Sequence, residues 1–146
     1  MKSITSNWFE CIVAFDKTQG DGTTKRVTET YTVDALTFTE AESTITEEMK
    51  PYISGEFNIR NINPAQYKEV FFSEKEDDDK WFKMKVAFTT YDERTNKPKD
   101  SNVFYLVQAD NSNRAQSYMN EVMRQSMQDY RIVSNVETKI IDVFKH

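Results

Sequence analysis

Apolar and polar residues alternate along residues 8–16, with Phe9, Cys11, Val13 and Phe15 on one side and Trp8, Glu10, Ile12 and Ala14 on the other. This period of two predicts a strand. The following loop carries Gly20 and an Asp21-Gly22 pair, chemistry suited to positive φ, and a β-rich arm from 25 to 35 comes next. Residues 8–35 are therefore expected to form a hairpin. Its second arm sets Val27, Tyr31, Val33 and Ala35 against Thr28, Thr30, Thr32 and Asp34. The period then changes. Thr39-Glu40-Ala41-Glu42 reads as a capping box, Ala41, Ile45 and Met49 recur at four-residue spacing, and Pro51 closes a predicted helix whose outer positions are acidic. Strands are expected at 56–62 and 67–72, separated by Asn63-Pro64.

The same series occurs again. Residues 81–88 (WFKMKVAF) repeat residues 8–15 (WFECIVAF) at a spacing of 73. Tyr105, Val107 and Ala109 answer Tyr31, Val33 and Ala35. Asn113 takes the cap position of Thr39, and Ala115, Met119 and Met123 continue the helical stripe. Strands at 130–134 and 139–144 complete the second series. The predicted fold class is α+β: an internally duplicated strand-strand-helix-strand-strand unit, pseudo-twofold, with antiparallel sheets and one helix per copy. The copies span about 8–73 and 81–145, and the acidic run 74–80 reads as a charged, solvated linker. Each copy is small for independent stability, so one domain with a shared core is expected.

Composition narrows the function classes. The 146 residues carry a net charge of -5, with aromatic residues at 13%, and this acidity disfavours indiscriminate binding of nucleic acid or anionic membranes. No apolar run reaches membrane-spanning length, and residues 1–7 lack a signal-peptide pattern. A cytoplasmic location in a bacterial host cell is the simplest expectation. The single Cys11 falls in the first strand, where it reads as a buried small hydrophobe in a reducing compartment.

Candidate chemistry is sparse. The sole histidine is the terminal His146, a poor general base, and Cys11 with His146 makes no dyad. No His and Cys spacing offers a metal site, no glycine-rich loop cradles a phosphate, and no cofactor is implied. The chain reads as a binding module, not an enzyme. Trp8 and Trp81 open equivalent strands, and alternation sends each to the face opposite its Phe neighbour. Either both sheet faces are covered and all these rings are core, or the tryptophans form an exposed pair. Lys83 and Lys85 share the Trp81 face, with Lys97 and Lys99 in the following loop. A tryptophan beside two ammonium groups suits single-stranded nucleic acid, although a solvated strand face explains the same pattern.

Two resemblances add to this reading. In element order alone, the chain is similar to the strand-strand-strand-strand-helix repeat of the Whirly, Pur and transcriptional-coactivator families, which bind single strands on curved sheets. More closely, residues 7–11 (NWFEC), Val27-Thr28-Glu29, Val33-Asp34-Ala35-Leu36, residues 53–57 (ISGEF), Glu137-Thr138 and Asp142-Val143-Phe144 resemble an uncharacterised domain family of Bacteroidetes and their phages and mobile elements. That resemblance spans nearly the whole chain and implies a setting, not a reaction. The residues before Asn7 depart from the family's usual start, which an alternative start codon would explain. The expected partner is single-stranded nucleic acid. The alternative is a mobile-element interaction factor that inhibits a host defence protein or sequesters a nucleotide ligand. Membrane binding is not expected, and a homo-oligomer is compatible with either reading.

Overall fold

A computed structural model describes residues 1–145. Its elements run β1 (Lys2–Thr5), β2 (Trp8–Thr18), β3 (Thr24–Asp34), α1 (Phe38–Met49), β4 (Phe57–Pro64), β5 (Glu69–Phe72), β6 (Lys80–Tyr91), β7 (Pro98–Ala109), α2 (Ser112–Arg124), β8 (Asp129–Glu137) and β9 (Ile140–Phe144). They form two compact units. Unit I is Ser6–Gln66 together with the chain from Lys139 onward, and unit II is Met1–Thr5 together with Tyr67–Thr138. The α+β class is as the periodicity predicts, with mostly antiparallel sheets.

In unit I the sheet order is β4-β2-β3-β9. The hairpin pairs Trp8 with Asp34 through to Thr18 with Thr24, and Gly22 at φ 86 makes the turn. Alternation gathers Phe9, Cys11, Val13, Tyr31 and Val33 on one face, where they form a core with Ala41, Ile45 and Met49 of α1. Each fully buried Val, Ile or Met side chain among them contributes roughly 1.5–3 kcal/mol. The opposite face is also buried at Trp8, Ala14 and Thr32.

Unit II follows the same plan, with order β1-β5-β7-β6-β8. Phe82, Met84, Val86, Tyr105 and Val107 pack with Ala115, Met119 and Met123 of α2. On the other face Trp81, Leu106, Val70 and Ala87 are buried as well.

The strands are distributed differently from the sequence repeat. β5, the last strand of the first series, lies in unit II, parallel to β7. β9, the last strand of the second series, lies in unit I, parallel to β3. Each series thus gives its final strand to the sheet built by the other. These parallel pairs depart from the purely antiparallel expectation, and both join segments remote in sequence, as parallel pairing requires. Residues 2–5 are a strand the periodicity did not predict: β1 pairs antiparallel with β5 and extends unit II to five strands.

Both helix caps lie two residues earlier than predicted. The Thr37 hydroxyl accepts from the Glu40 amide at 3.1 Å, and Asn111 Oδ1 accepts from the Arg114 amide at 2.8 Å. Thr37 and Thr39 each begin an overlapping capping box, and the earlier one wins because its extra residue, Phe38, packs edge-on against Phe9 at 5.1 Å. The linker is not solvated throughout. Asp78 is 2% exposed and accepts hydrogen bonds from the hydroxyls of Ser73 and Tyr118, which pin the chain between β5 and β6.

Candidate functional site

The functional candidates begin where α1 runs out. A helix of 12 residues spans about 18 Å, whereas hairpin arms of 11 residues reach about 37 Å. The far part of the β2–β3 hairpin therefore extends past the helix. There a cavity of about 460 Å³ opens in unit I, lined by Phe15 to Thr18 of β2, Glu29 and Tyr31 of β3, Met49 at the end of α1, Tyr52 to Ser54 beyond it, and Ile141, Asp142 and Phe144 of β9.

Tyr31 is its central side chain. Its ring stacks on Phe144 at 5.6 Å with 19° between planes, and its hydroxyl donates to Glu29 Oε2 at 2.7 Å. Burial pushes the Tyr31 phenol well above its ordinary value, and the Glu29 hydrogen bond, the Glu29 charge and the Asp142 charge add to that. At neutral pH the phenol is a donor and a wall, not a base. Asp142 reaches this position through a register shift: Thr30 pairs with Ile140 and Tyr31 with Asp142, so Ile141 is the extra residue, and it and Asp142 line the cavity as exposed side chains. Among the lining carboxylates, Asp16 pairs with Arg26 at 3.4 Å. Glu29 and Asp142 have no ion pair among the described residues.

None of the six candidate binding residues, Trp8, Trp81, Lys83, Lys85, Lys97 and Lys99, lines this cavity. Trp8 is 2% and Trp81 1% exposed, so neither is a surface stacking platform. Of the two readings of the tryptophans, the covered one holds: both faces of each sheet are buried at these strands. Trp81 packs edge-on against Phe72 at 5.5 Å. Lys83 and Lys85 are half-buried, with both ammonium groups over the Phe104 ring at 5.9 Å and Lys83 also 5.8 Å from the Tyr67 centroid. Lys97 and Lys99 are exposed at the tip of the β6–β7 hairpin. Lys85 pairs with Phe104 and Lys99 with Thr90, a separation of five residues along β7, or about 17 Å. Alternation also turns Lys99 to the opposite face from Lys85. The six residues do not form one surface.

The cavity residues left a faint sequence signal. Glu29 is a charge between Val27 and Tyr31 on the inward face of β3, and such a charge is costly unless it has a partner or a ligand. Asp142 and Phe144 could not have been joined to Tyr31 from sequence, because β9 comes from the far end of the chain. Cys11 is fully buried, and its thiol is pushed up to about 12 by burial first and the Glu10 charge second, which makes it inert. His146, weighed as a base, lies outside the described residues. No cluster of three or more His, Cys, Asp or Glu is arranged to hold a metal among the described residues, and none of their helices is long and apolar enough to cross a membrane.

Fold and site together define a small α+β protein with two helix-backed sheets and one aromatic, acid-lined cleft in unit I. The chain belongs to the family described as a domain of unknown function, DUF4494, which matches residues 7–146. The match begins after β1, so the fifth strand of unit II falls outside it. Comparison with curated proteins found no match, and comparison with solved structures found none either.

Proposed function

We propose that this protein is a non-enzymatic binding module that captures a small organic ligand in the cleft of unit I. One observation carries the reading: a cavity of about 460 Å³ combines aromatic walls with a few convergent polar groups, the make-up of a ligand pocket in the ordinary size range of about 300–1,000 Å³. In the cytoplasm of a Bacteroidetes cell carrying a phage or mobile element, the setting the family resemblance implies, such a module would act by sequestering a host ligand. Amide shifts in two-dimensional NMR spectra, on titration with small charged and neutral aromatic compounds, test it. Shifts confined to residues 15–18, 29–31, 52–54 and 141–144 are expected, and binding elsewhere or nowhere at millimolar ligand rejects the proposal.

A second reading, single-stranded nucleic acid on unit II, keeps one supporting observation: Lys83 and Lys85 both sit over the Phe104 ring. The burial of Trp81 removes its main stacking surface. Fluorescence anisotropy with single-stranded and duplex DNA at two salt concentrations separates the readings. Salt-dependent preference for single strands, lost in Lys83→Glu with Lys85→Glu, would favour the second.

A further inference from the structure

We infer that the cleft of unit I takes a small organic cation, an ammonium carried on an aryl or alkyl body; this rests on the cleft being the binding site. Three independent features put negative charge there. Glu29 and Asp142 line the cavity without an ion pair among the described residues, and Tyr31 occupies only Oε2 of Glu29 while the Val143 amide occupies only Oδ1 of Asp142. Each carboxylate thus keeps an oxygen for a ligand donor. The C-terminal end of α1 reaches the cavity at Met49 with no basic residue in its last turn, and the capping Lys50 is taken by Glu47 at 2.7 Å. The helix end carries a partial negative charge toward the cavity, lessened because the Met49 carbonyl accepts from the Tyr52 and Ile53 amides. The stacked Tyr31–Phe144 pair and the Phe15 and Tyr52 rings then supply the π surface that a desolvated ammonium prefers.

The opposing charges are few. Lys17 is the one ammonium among the lining residues, and Arg26 is taken up by Asp16. The rise of the Tyr31 phenol is caused in part by Glu29 and Asp142, which agrees with a negative local field. The same charges oppose a phosphate, so a nucleotide fits this cleft poorly. Tyr52 is 74% exposed beside the cavity mouth, a large ring with no packing role that a ligand would cover.

The test uses three probes of one shape: phenethylammonium, phenylacetate and 2-phenylethanol, titrated into the full chain and followed by amide shifts and calorimetry. Phenethylammonium is expected to shift residues 29–31 and 141–144 and to bind at least ten-fold more tightly than the other two. Glu29→Gln with Asp142→Asn should weaken it ten-fold or more. Tyr52→Ala, at an exposed position that leaves the fold intact, should weaken it several-fold. Equal binding of phenylacetate or 2-phenylethanol at the same residues overturns the cation inference while the cleft stands as the binding site. Silence from all three probes at the cleft overturns both. Unchanged phenethylammonium affinity in the folded variants overturns the assignment to these residues.

Discussion

Units I and II place the same aromatic pair at the same point of their sheets, and make different things of it. Tyr31 lies 5.6 Å from Phe144 on β9, and Tyr105 lies 5.6 Å from Phe71 on β5. In both, burial is the main cause that raises the phenol, with an acidic residue of the partnered strand, Asp142 or Glu69, adding to it. The divergence is two residues upstream. Glu29 accepts a hydrogen bond from the Tyr31 hydroxyl, whereas Val103 packs against the core of unit II. Beyond the helices, Phe57 and Ile59 of unit I pack against its core as Tyr130 and Ile132 of unit II do, and in unit I Tyr52 and Ile53 also line the cavity. The pair belongs to the packed core in both units, and in unit I it also walls a cleft, where Glu29 stands in the place of Val103.

The largest test of the comparison concerns the exchanged strands. Phe71→Ala should cost about 3–5 kcal/mol in urea denaturation. Hydrogen exchange should show the lost protection on β7, to which β5 is paired, not on β2 and β3 of its own sequence series. Loosening of β2 and β3 first would contradict the exchange. Asp78→Ala, which strips the partner from the Ser73 and Tyr118 hydroxyls, should cost about 1–3 kcal/mol. Burial pushes the Asp78 carboxyl up, but the Ser73 and Tyr118 hydrogen bonds and the Arg114 charge outweigh it and hold it below its ordinary 3.8. A depressed carboxylate stabilises the fold above its unfolded pKa and loses that as pH falls through the folded value. The difference between wild type and variant should therefore shrink below about pH 4.

Cap removal comes next in size. Thr37→Ala and Asn111→Ala should each cost about 0.5–2 kcal/mol, and Thr39→Ala and Asn113→Ala much less. Equal effects at 37 and 39 would restore the later cap. The smallest change in stability, within about 1 kcal/mol, is expected for Glu29→Val, which gives unit I the residue of unit II. Its signature is the titration. The raised Tyr31 phenol contributes stability below the ordinary tyrosine value and loses it as pH rises through the folded one. Removing Glu29 should bring Tyr31 ionisation down toward that of Tyr105 in an ultraviolet titration. An unmoved Tyr31 curve would show that burial alone sets it.

Much of the architecture was legible locally. Strand alternation at 8–16 and 81–88, the helical stripes Ala41-Ile45-Met49 and Ala115-Met119-Met123, and the Asp21-Gly22 turn all appear as predicted, because each depends on neighbours within a few residues. The caps slipped by two residues where Thr37 and Thr39 offer competing boxes and a tertiary contact of Phe38 decided between them. The candidate site was hardly legible. Trp81, Lys83 and Lys85 do share a face, but alternation cannot say whether that face is covered, and Trp81 is 1% exposed.

Periods and turns follow from spacing alone, since backbone geometry converts spacing into faces directly. Which sheet β5 and β9 join, whether Trp8 and Trp81 meet water, and that Asp142 and Phe144 come to stand beside Tyr31 were decided only by the tertiary structure. These depend on pairings between remote segments, from Glu69 with Tyr105 to Tyr31 with Asp142. Such pairings are selected by the total apolar area buried and backbone hydrogen bonds satisfied, quantities that no local window of residues contains.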